Sequence, residues 1–228
     1  MIVGALFAAP VAPAHAATKP GEAVAVTVSG KAEFSTNGRD WLPLRSNDTL
    51  KPGAEVRTAS GATVDLFLNY NGPVVVVQSA SHLVVSKLDR EESGDQVVTD
   101  TQLEVKAGSI LGYAQKMSSG SRYVVKNSLG DVNITGTIYQ VYASGYVYVV
   151  SGAVEVRYSP RGISRLGTTV YVDAGFYFDP VAYSSTSTAP PVTDVLLTTI
   201  NTTIGNVRKF NLSRGRKLTV KTVTPISL

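Results

Sequence analysis

The stretch GTIYQVYASGYVYVVSGAVEV, Gly136–Val156, decides the fold class of this chain of 228 residues. Its apolar residues recur at every second position, which is the period of a β-strand whose successive side chains point to opposite faces of a sheet. Gly145 and Gly152 interrupt that alternation, and glycine accepts the backbone angles of tight turns. The stretch therefore predicts strands separated by glycine turns, and it contains no set of residues typical of catalysis.

The composition extends this prediction to the whole chain. With 43% hydrophobic residues, 17% charged residues and 20 glycines, the chain can build one sizeable core with frequent turns. We expect an all-β protein, either an irregular two-layer β-sandwich or a short β-solenoid-like structure, with a short C-terminal helix and a basic tail. The sequence contains no cysteine, which excludes disulfides and thiolate metal sites.

The first residues, 1–16, predict a signal peptide. Residues 2–16 carry no charge, and their apolar run ends in Ala14-His15-Ala16, a pattern typical of cleavage before Ala17. The alternatives are a buried strand or a short membrane anchor, but two prolines break the run, which is too short to cross a bilayer. We therefore expect a periplasmic or secreted protein whose mature chain has no membrane span.

Several other segments predict strands. Residues 62–68 alternate between apolar and mostly polar side chains, whereas the continuous apolar run Val74–Val77 indicates a strand covered on both faces. The charged segment Asp89–Asp95 predicts a solvated loop. A glycine precedes several strand-like runs at unequal intervals, which argues against a regular repeat. Further strands are predicted at 24–28, 103–107, 109–115, 122–126, 131–134, 138–142, 146–150, 153–158 and 168–173.

A segment rich in serine, threonine and proline, residues 184–191, predicts a linker after a β domain of residues 17–183. Residues 192–228 would then hold a short helix and a basic C-terminal segment. Apolar residues at helical spacing predict that the helix packs back onto the sheet, and Gly205 is placed to end it. These apolar residues are Val192, Val195, Leu196, Ile200 and Ile204.

Positive charge gathers near the C-terminus, although the whole chain carries a net charge of only +4. A basic segment can meet phosphate, lipid headgroups or an acidic partner surface, and the simpler interpretation is a solvated face. Its candidate partner-binding residues are Arg208, Lys209, Arg214, Arg216 and Lys217.

Few residues are suited to catalysis. Only His15 and His82 titrate near neutral pH, and His82 stands alone between a turn and a strand, as a structural or surface histidine would. Two carboxylates could in principle hydrolyse a glycosidic bond, but nothing in the sequence pairs the candidates Asp65, Asp131, Glu155 and Asp173. We therefore predict a non-enzymatic protein with no catalytic residue, no cofactor and no metal site.

Two tyrosines form a candidate contact surface. Tyr146 and Tyr148 share one face of a predicted strand, and Val147 and Val149 share the other. If the valines face the core, the tyrosine rings stand outside, where they could stack on sugar rings or anchor a protein partner. The alternative is cross-strand aromatic pairing that only stabilises the sheet.

Three segments together resemble the FecR domain, an all-β extracytoplasmic module. Residues 52–58, PGAEVRT, are similar to that family's Gly-Asp-x-Ile-Arg-Thr-Gly turn and strand. Residues 135–141, TGTIYQV, are similar to its Arg-Gly-Thr-x-Phe-x-Val signature, and residues 151–156, SGAVEV, to the glycine-led strand that follows. The resemblance covers residues 22–158. It implies structural roles for Gly53, Arg57, Thr58, Gly136, Thr137 and Gly152, and we expect Trp41 to anchor the core between early strands.

The resemblance also bears on function. Members of the family that span the membrane pass a signal from an outer-membrane transporter to a cytoplasmic sigma factor. The cleavable N-terminus predicted here argues against sigma-factor regulation, so the resemblance implies a free-standing, exported bacterial FecR domain. Such a domain would act as a protein-interaction or envelope-binding module.

Two classes of function remain open. The first is a non-enzymatic binding module of the bacterial envelope, whose partner is a protein or an envelope polymer. The second is a structural or assembly protein, in which an edge strand pairs with another subunit. A carbohydrate-binding accessory module is a further alternative. We do not expect nucleic acid as a partner, because an exported protein rarely meets it.

Overall fold

The computed structural model describes residues 17–93, 96–159, 167–187 and 190–216. In this part of the chain, two sheets pack face to face, and a helix covers the outer face of the second sheet. The prediction of an all-β protein with two layers and a C-terminal helix is confirmed. The predicted signal peptide, residues 1–16, lies outside the described residues.

Most strands are short, and one long hairpin stands out. Helix α1 spans Pro190–Ser213, and a turn of 3₁₀-helix spans Asn69–Asn71. The strands in chain order are β1 (Lys19–Pro20), β2 (Ala23–Ser29), β3 (Ala32–Ser35), β4 (Leu42–Pro43), β5 (Thr49–Leu50), β6 (Glu55–Thr58), β7 (Thr63–Phe67), β8 (Val74–Val77), β9 (His82–Ser93), β10 (Gln96–Ala107), β11 (Ser109–Tyr113), β12 (Arg122–Lys126), β13 (Gly130–Ile134), β14 (Ile138–Tyr142), β15 (Val147–Ser151), β16 (Ala153–Tyr158), β17 (Thr168–Asp173), β18 (Phe176–Asp179) and β19 (Ser184–Ser187).

Sheet 1 has the spatial order β17-β16-β13-β12-β10-β9-β6-β3-β4, with β1 paired to β9, and sheet 2 has the order β19-β18-β15-β14-β11-β8-β7-β2-β5. Within these sheets neighbouring strands run antiparallel, except that β10 and β12 pair in parallel, with Asp100 opposite Arg122. The chain visits β11 in sheet 2 between them. That excursion permits the parallel pairing, because a tight hairpin cannot join parallel strands.

The chain alternates between the two sheets, and its turns share one backbone feature. From β2 onward, every connection from one sheet to the other contains a residue with positive φ. Most of these residues are glycines, since a Cβ makes that conformation costly. The glycines that precede strands at unequal intervals therefore mark crossings between layers. The residues are Gly30, Asn47, Gly53, Gly61, Ala80, Gly108, Gly120, Gly136, Gly152 and Gly175.

The main core lies between the sheets, and β8 shows how the sequence builds it. Val75 and Val77 point into this core, whereas Val74 and Val76 pack under helix α1. All four valines are buried. The prediction that Val74–Val77 is covered on both faces is therefore confirmed, and the second cover is the helix.

A pair of tyrosines joins the two layers inside this core. Tyr123 of sheet 1 and Tyr139 of sheet 2 are fully buried, and their hydroxyl oxygens lie 2.6 Å apart in a hydrogen bond. Gly112 leaves room for this contact, because a Cβ there would lie 2.2 Å from the Tyr139 ring. Burial raises the pKa of both phenols above their ordinary value of 10.0.

Helix α1 is longer than the sequence predicts. It continues through Gly205 to Ser213, so the prediction that Gly205 ends it is wrong. An interior glycine costs a helix about 1 kcal/mol, and burial of the apolar residues beyond it offsets that cost. Val195 also departs from the prediction, because it is 64% exposed. The buried stripe consists of Leu196, Leu197, Ile200, Ile204, Val207 and Phe210.

A buried carboxylate fixes the helix on sheet 2. Asp65 of β7 is 8% exposed and lies under the helix. The Thr203 hydroxyl donates to its Oδ1 at 3.0 Å, and the Asn206 amide donates to its Oδ2 at 3.0 Å. Both donors lie on one face of the helix because they are three residues apart. A buried carboxylate with donors on both oxygens sets the position of the helix along the strand.

Two predicted irregular segments are strands instead. Asp89–Ser93, predicted as a loop, completes β9 in a long hairpin with β10, in which Arg90 pairs with Thr99. Ser184–Ser187, predicted as part of a linker, forms edge strand β19 and pairs with β18. In both segments hydrogen bonding to a neighbouring strand overrides a polar composition that favours loops.

We expect Asp65→Ala to destabilise the protein by about 1–3 kcal/mol, because it leaves the Thr203 and Asn206 donors without a buried acceptor. Urea unfolding measures the loss, and amide hydrogen exchange should rise within α1. Thr202→Ala is the matched control, since Thr202 is exposed and its hydroxyl donates to the Thr198 carbonyl of its own helix. Equal stability losses in the two variants would refute the role of Asp65.

We expect Tyr139→Phe to cost about 1–3 kcal/mol, since the Tyr123 hydroxyl would lose its buried partner. The double variant Tyr123→Phe/Tyr139→Phe should cost less than the sum of the single variants, because neither hydroxyl is then left unpaired. A double-mutant cycle in urea provides the comparison. Strict additivity would contradict the coupling of the two hydroxyls.

The same pair should make stability depend on alkaline pH. As pH rises above the ordinary phenol pKa of 10.0, the unfolded phenols lose protons while the buried phenols keep theirs. The unfolded state then binds fewer protons, so the free energy of unfolding falls. The double phenylalanine variant should lose less stability than the wild type between about pH 9 and pH 11.

Candidate functional site

Tyr146 and Tyr148, the candidate contact residues predicted from the sequence, lie on the outer face of sheet 2. Val147 and Val149 are buried in the main core, at 0% and 1% exposure, so Tyr146 and Tyr148 point the other way. Both rings are only half-buried. The alternation along this strand thus places them where a partner can reach them.

Two more tyrosines complete a cluster, which we call the tyrosine face: Tyr142, Tyr146, Tyr148 and Tyr177. The Tyr148 and Tyr177 rings stack with centroids 5.1 Å apart, because β15 and β18 pair these residues directly. The ring centroids of Tyr142 and Tyr148 lie 5.8 Å apart, and those of Tyr146 and Tyr177 lie 6.3 Å apart. The sequence alone does not place Tyr177 beside Tyr148, since only the register between β15 and β18 brings the two residues together.

Partial burial changes the acidity of two tyrosines of the tyrosine face. Burial raises the pKa of Tyr148, and the neighbouring Tyr142 and Tyr177 add to the shift. Burial also raises the pKa of Tyr142. Tyr142 and Tyr148 therefore keep their protons at neutral pH, and a protonated phenol can donate a hydrogen bond.

A cleft between helix α1 and sheet 2 adjoins the tyrosine face through Tyr142. It has a volume of 730 Å³, and we call it the apolar cleft. Three of its polar side chains are bonded to one another, since Ser109 Oγ and Gln140 Nε2 both donate to Gln78 Oε1. The residues that line it are Thr63, Val76, Gln78, Ser79, Ser109, Gln140, Tyr142, Val195, Leu196 and Thr199.

The candidate basic residues lie towards the other end of helix α1. Arg208 and Lys209 belong to the helix and not to a tail. Arg214 follows the helix, packs 4.4 Å from the Phe210 ring centroid and reaches towards Asn47. Arg216 lines a separate cleft, and Lys217 lies outside the described residues. The structure therefore does not join the basic residues and the tyrosines into one surface.

The residues of the FecR-like signature lie in turns and in contacts that join turns to strands. Gly53, Gly136 and Gly152 lie at sheet crossings with φ of +91°, +69° and +82°. The Thr137 hydroxyl donates to the Ala153 carbonyl at 2.9 Å, and Thr58 Oγ1 accepts from the Ser81 amide at 3.0 Å. These contacts join turns to neighbouring strands across the two sheets.

Trp41 is not in the core, contrary to the prediction. It precedes the edge strand β4 and is half-buried at the surface of sheet 1. The guanidinium of Arg57 lies 3.9 Å from its ring centroid, and Glu33 holds that guanidinium at 2.8 Å. His82 meets the ring edge-on and bonds Glu55 Oε2 at 2.6 Å. Trp41 therefore lies outside the core, where the Arg57 guanidinium covers its indole ring.

Three of the four candidate carboxylates share the outer face of sheet 1, and the fourth lies under helix α1. Asp65 is bound under the helix in sheet 2, whereas Asp131, Glu155 and Asp173 lie on strands of sheet 1. Glu155 is engaged by Arg157. Within the described residues, no group of three or more histidines and carboxylates could hold a metal ion.

Comparison with known proteins gives limited similarity. No family model matches the chain, and no curated protein matches it. Two crystal structures of a proposed anti-sigma factor from Parabacteroides distasonis are similar, with 16% and 17% identity and TM-scores of 0.42 and 0.43. Each similarity covers 59% of this chain and 58% of the other, little more than half of either. Of the helices in the described ranges, none is long and apolar enough to span a bilayer.

The crossing glycines predict a graded response to alanine. At Gly53 a Cβ would meet nothing within 4 Å, so Gly53→Ala should cost only the strain of positive φ, about 1–2 kcal/mol. At Gly152 a Cβ would also lie 2.8 Å from the Gly136 carbonyl oxygen, so Gly152→Ala should cost clearly more. Thermal unfolding compares the two variants, and equal losses would contradict this account.

Proposed function

We propose that this chain is a non-catalytic binding module that engages a protein partner through the tyrosine face. The observation that carries the proposal is the cluster of four half-buried tyrosines beside the apolar cleft. Tyrosine gives a large contact area at a small entropic cost, because it has few rotatable bonds. The mutual stacking restrains the rings further, so little side-chain freedom remains to be lost on binding.

The arrangement favours a protein partner over a saccharide at this surface. A sugar stacks on an exposed ring face, whereas Tyr148 and Tyr177 are half-buried and their stacked rings also cover one face of each other. A protein partner can instead bury ring edges and hydroxyls together and extend an apolar side chain into the adjoining cleft. The rim residue Val195, which is 64% exposed, would be covered in such a complex.

We also propose that the module is FecR-like and exported to the bacterial envelope, where it takes part in signalling or protein–protein interaction. The uncharged apolar run of residues 2–16 and its Ala14-His15-Ala16 ending support export. The signature glycines at the sheet crossings support the family proposal, since this position explains why glycine is needed in each of the three similar segments.

The test is a double substitution, Tyr146→Ala/Tyr148→Ala, in quantitative binding to envelope proteins captured by the wild type. We expect the variant to lose at least about tenfold in affinity for the specific partner, because central aromatic residues dominate such interfaces. The control is Tyr171→Ala, which removes a tyrosine that is 69% exposed on sheet 1. Tyr146→Ser alone repeats the test if the double variant unfolds.

Two outcomes would overturn the proposal. The first is unchanged affinity in a folded double variant, which would leave the tyrosines only a role in stabilising the sheet. The second is catalytic turnover of an envelope polymer that disappears when a carboxylate is replaced. Thermal unfolding of each variant separates lost binding from lost folding.

A further inference from the structure

A second cleft lies at the C-terminal end of helix α1, and we call it the polar cleft. It has a volume of 680 Å³ and lies between the 3₁₀ turn, the start of β2 and the end of the helix. Its lining is polar and contains arginine, asparagine and tyrosine. The residues are Pro20, Gly21, Glu22, Asn69, Tyr70, Asn71, Arg90, Asn211 and Arg216.

Tyr70 and Arg90 form the most unusual pair in this cleft. Tyr70 is 55% exposed, although it lies in a short turn between two buried strands. The Arg90 guanidinium lies 5.2 Å from its ring centroid, a distance at which a cation is attracted to an aromatic face. An exposed tyrosine of this kind retains ring surface on which another flat molecule can pack.

Arg90 also has unused hydrogen-bonding capacity. Its Nε is shielded from solvent and donates no hydrogen bond to a described residue. Glu92 Oε1 lies 3.4 Å from that nitrogen in an ion pair without hydrogen-bond geometry. Because Nε is shielded, a ligand in the cleft would meet the part of the Arg90 side chain that is exposed, which is 27% of it.

The charges of the cleft favour an anion. Among the described residues that line it, Arg90 and Arg216 oppose a single acid, Glu22, and Glu92 outside the lining pairs with Arg90. The C-terminal end of α1 carries a partial negative charge, so attraction for an anion depends on the two guanidinium groups. Arginine binds carboxylates through two parallel hydrogen bonds, and asparagine side chains bond hydroxyl groups.

We propose that the polar cleft binds a carboxylate-bearing saccharide. Tyr70 would pack against a sugar ring, Arg90 and Arg216 would bind the carboxylate, and Asn69 would bond the ring hydroxyls. Asn71 holds the turn in place, because its amide donates to the Asp89 carbonyl at 2.8 Å and to Thr101 Oγ1 at 3.1 Å. This site is separate from the tyrosine face, so either proposal can fail without the other.

The probe is trigalacturonate, with neutral trigalactose and inorganic phosphate as comparison ligands in isothermal titration calorimetry. We expect saturable binding of trigalacturonate, at least about tenfold weaker binding of trigalactose, and no comparable binding of phosphate. Binding should weaken as salt is added, because the guanidinium groups carry the attraction. Amide shifts in NMR should concentrate at residues 69–71 and leave the tyrosine face unchanged.

Four variants test whether Arg90 and Tyr70 bind trigalacturonate. Arg90→Gln and Tyr70→Ala should each weaken trigalacturonate binding at least about fivefold. Arg157→Gln and Tyr171→Ala should change nothing, since these residues present an exposed arginine and tyrosine elsewhere on sheet 1. Absence of binding, equal binding of the neutral trimer, phosphate binding of equal strength, or equal losses in the control variants would overturn the proposal.

Discussion

The positive-φ turn between the two sheets is the constraint on which this structure depends. The chain cannot complete one sheet and then start the other, since successive strands or strand pairs alternate between layers. From β2 onward, each change of layer takes between one and eight residues, and Gly108 and Gly152 each complete it as a single residue between strands. At these two positions a Cβ would lie within 3.0 Å of a neighbouring turn, so glycine there is a requirement of the fold and not an effect of composition.

Many strands can be predicted from the sequence because the patterns that indicate them lie within the strands themselves. Alternation and apolar runs place β8, β12, β14, β16 and β17 within a residue of their observed bounds. The helix departs from prediction because its extent depends on distant partners, whereas β19 departs because pairing with the neighbouring β18 overrides its polar composition. Asp65 meets Thr203 and Asn206 across more than 130 residues of chain, and nothing in the sequence marks that contact. The tyrosine face is predicted only in part. The alternation of the sequence places Tyr148 on the outer face, but only the pairing of β15 with β18 brings Tyr177 beside it.

Helix α1 organises the outer face of sheet 2. By covering the middle of the sheet, it converts a surface that would otherwise be broadly apolar into two bounded sites of different chemistry. The apolar cleft and the tyrosines lie beside its first turns, and the polar cleft lies at its end. The buried bonds from Asp65 fix the helix between them. Both sites therefore depend on the same anchoring interaction while they differ in the ligands they suit.

The parallel pairing of β10 with β12 has a consequence for how the molecule folds. The β9–β10 hairpin is local in sequence and can close early. The β12 strand can join it only after the chain has been placed in the opposite layer and has come back. Such non-local closure slows the search for the native topology, and folding on a scale of about milliseconds to seconds is the usual result. We therefore expect the seam between β10 and β12 to close late in folding.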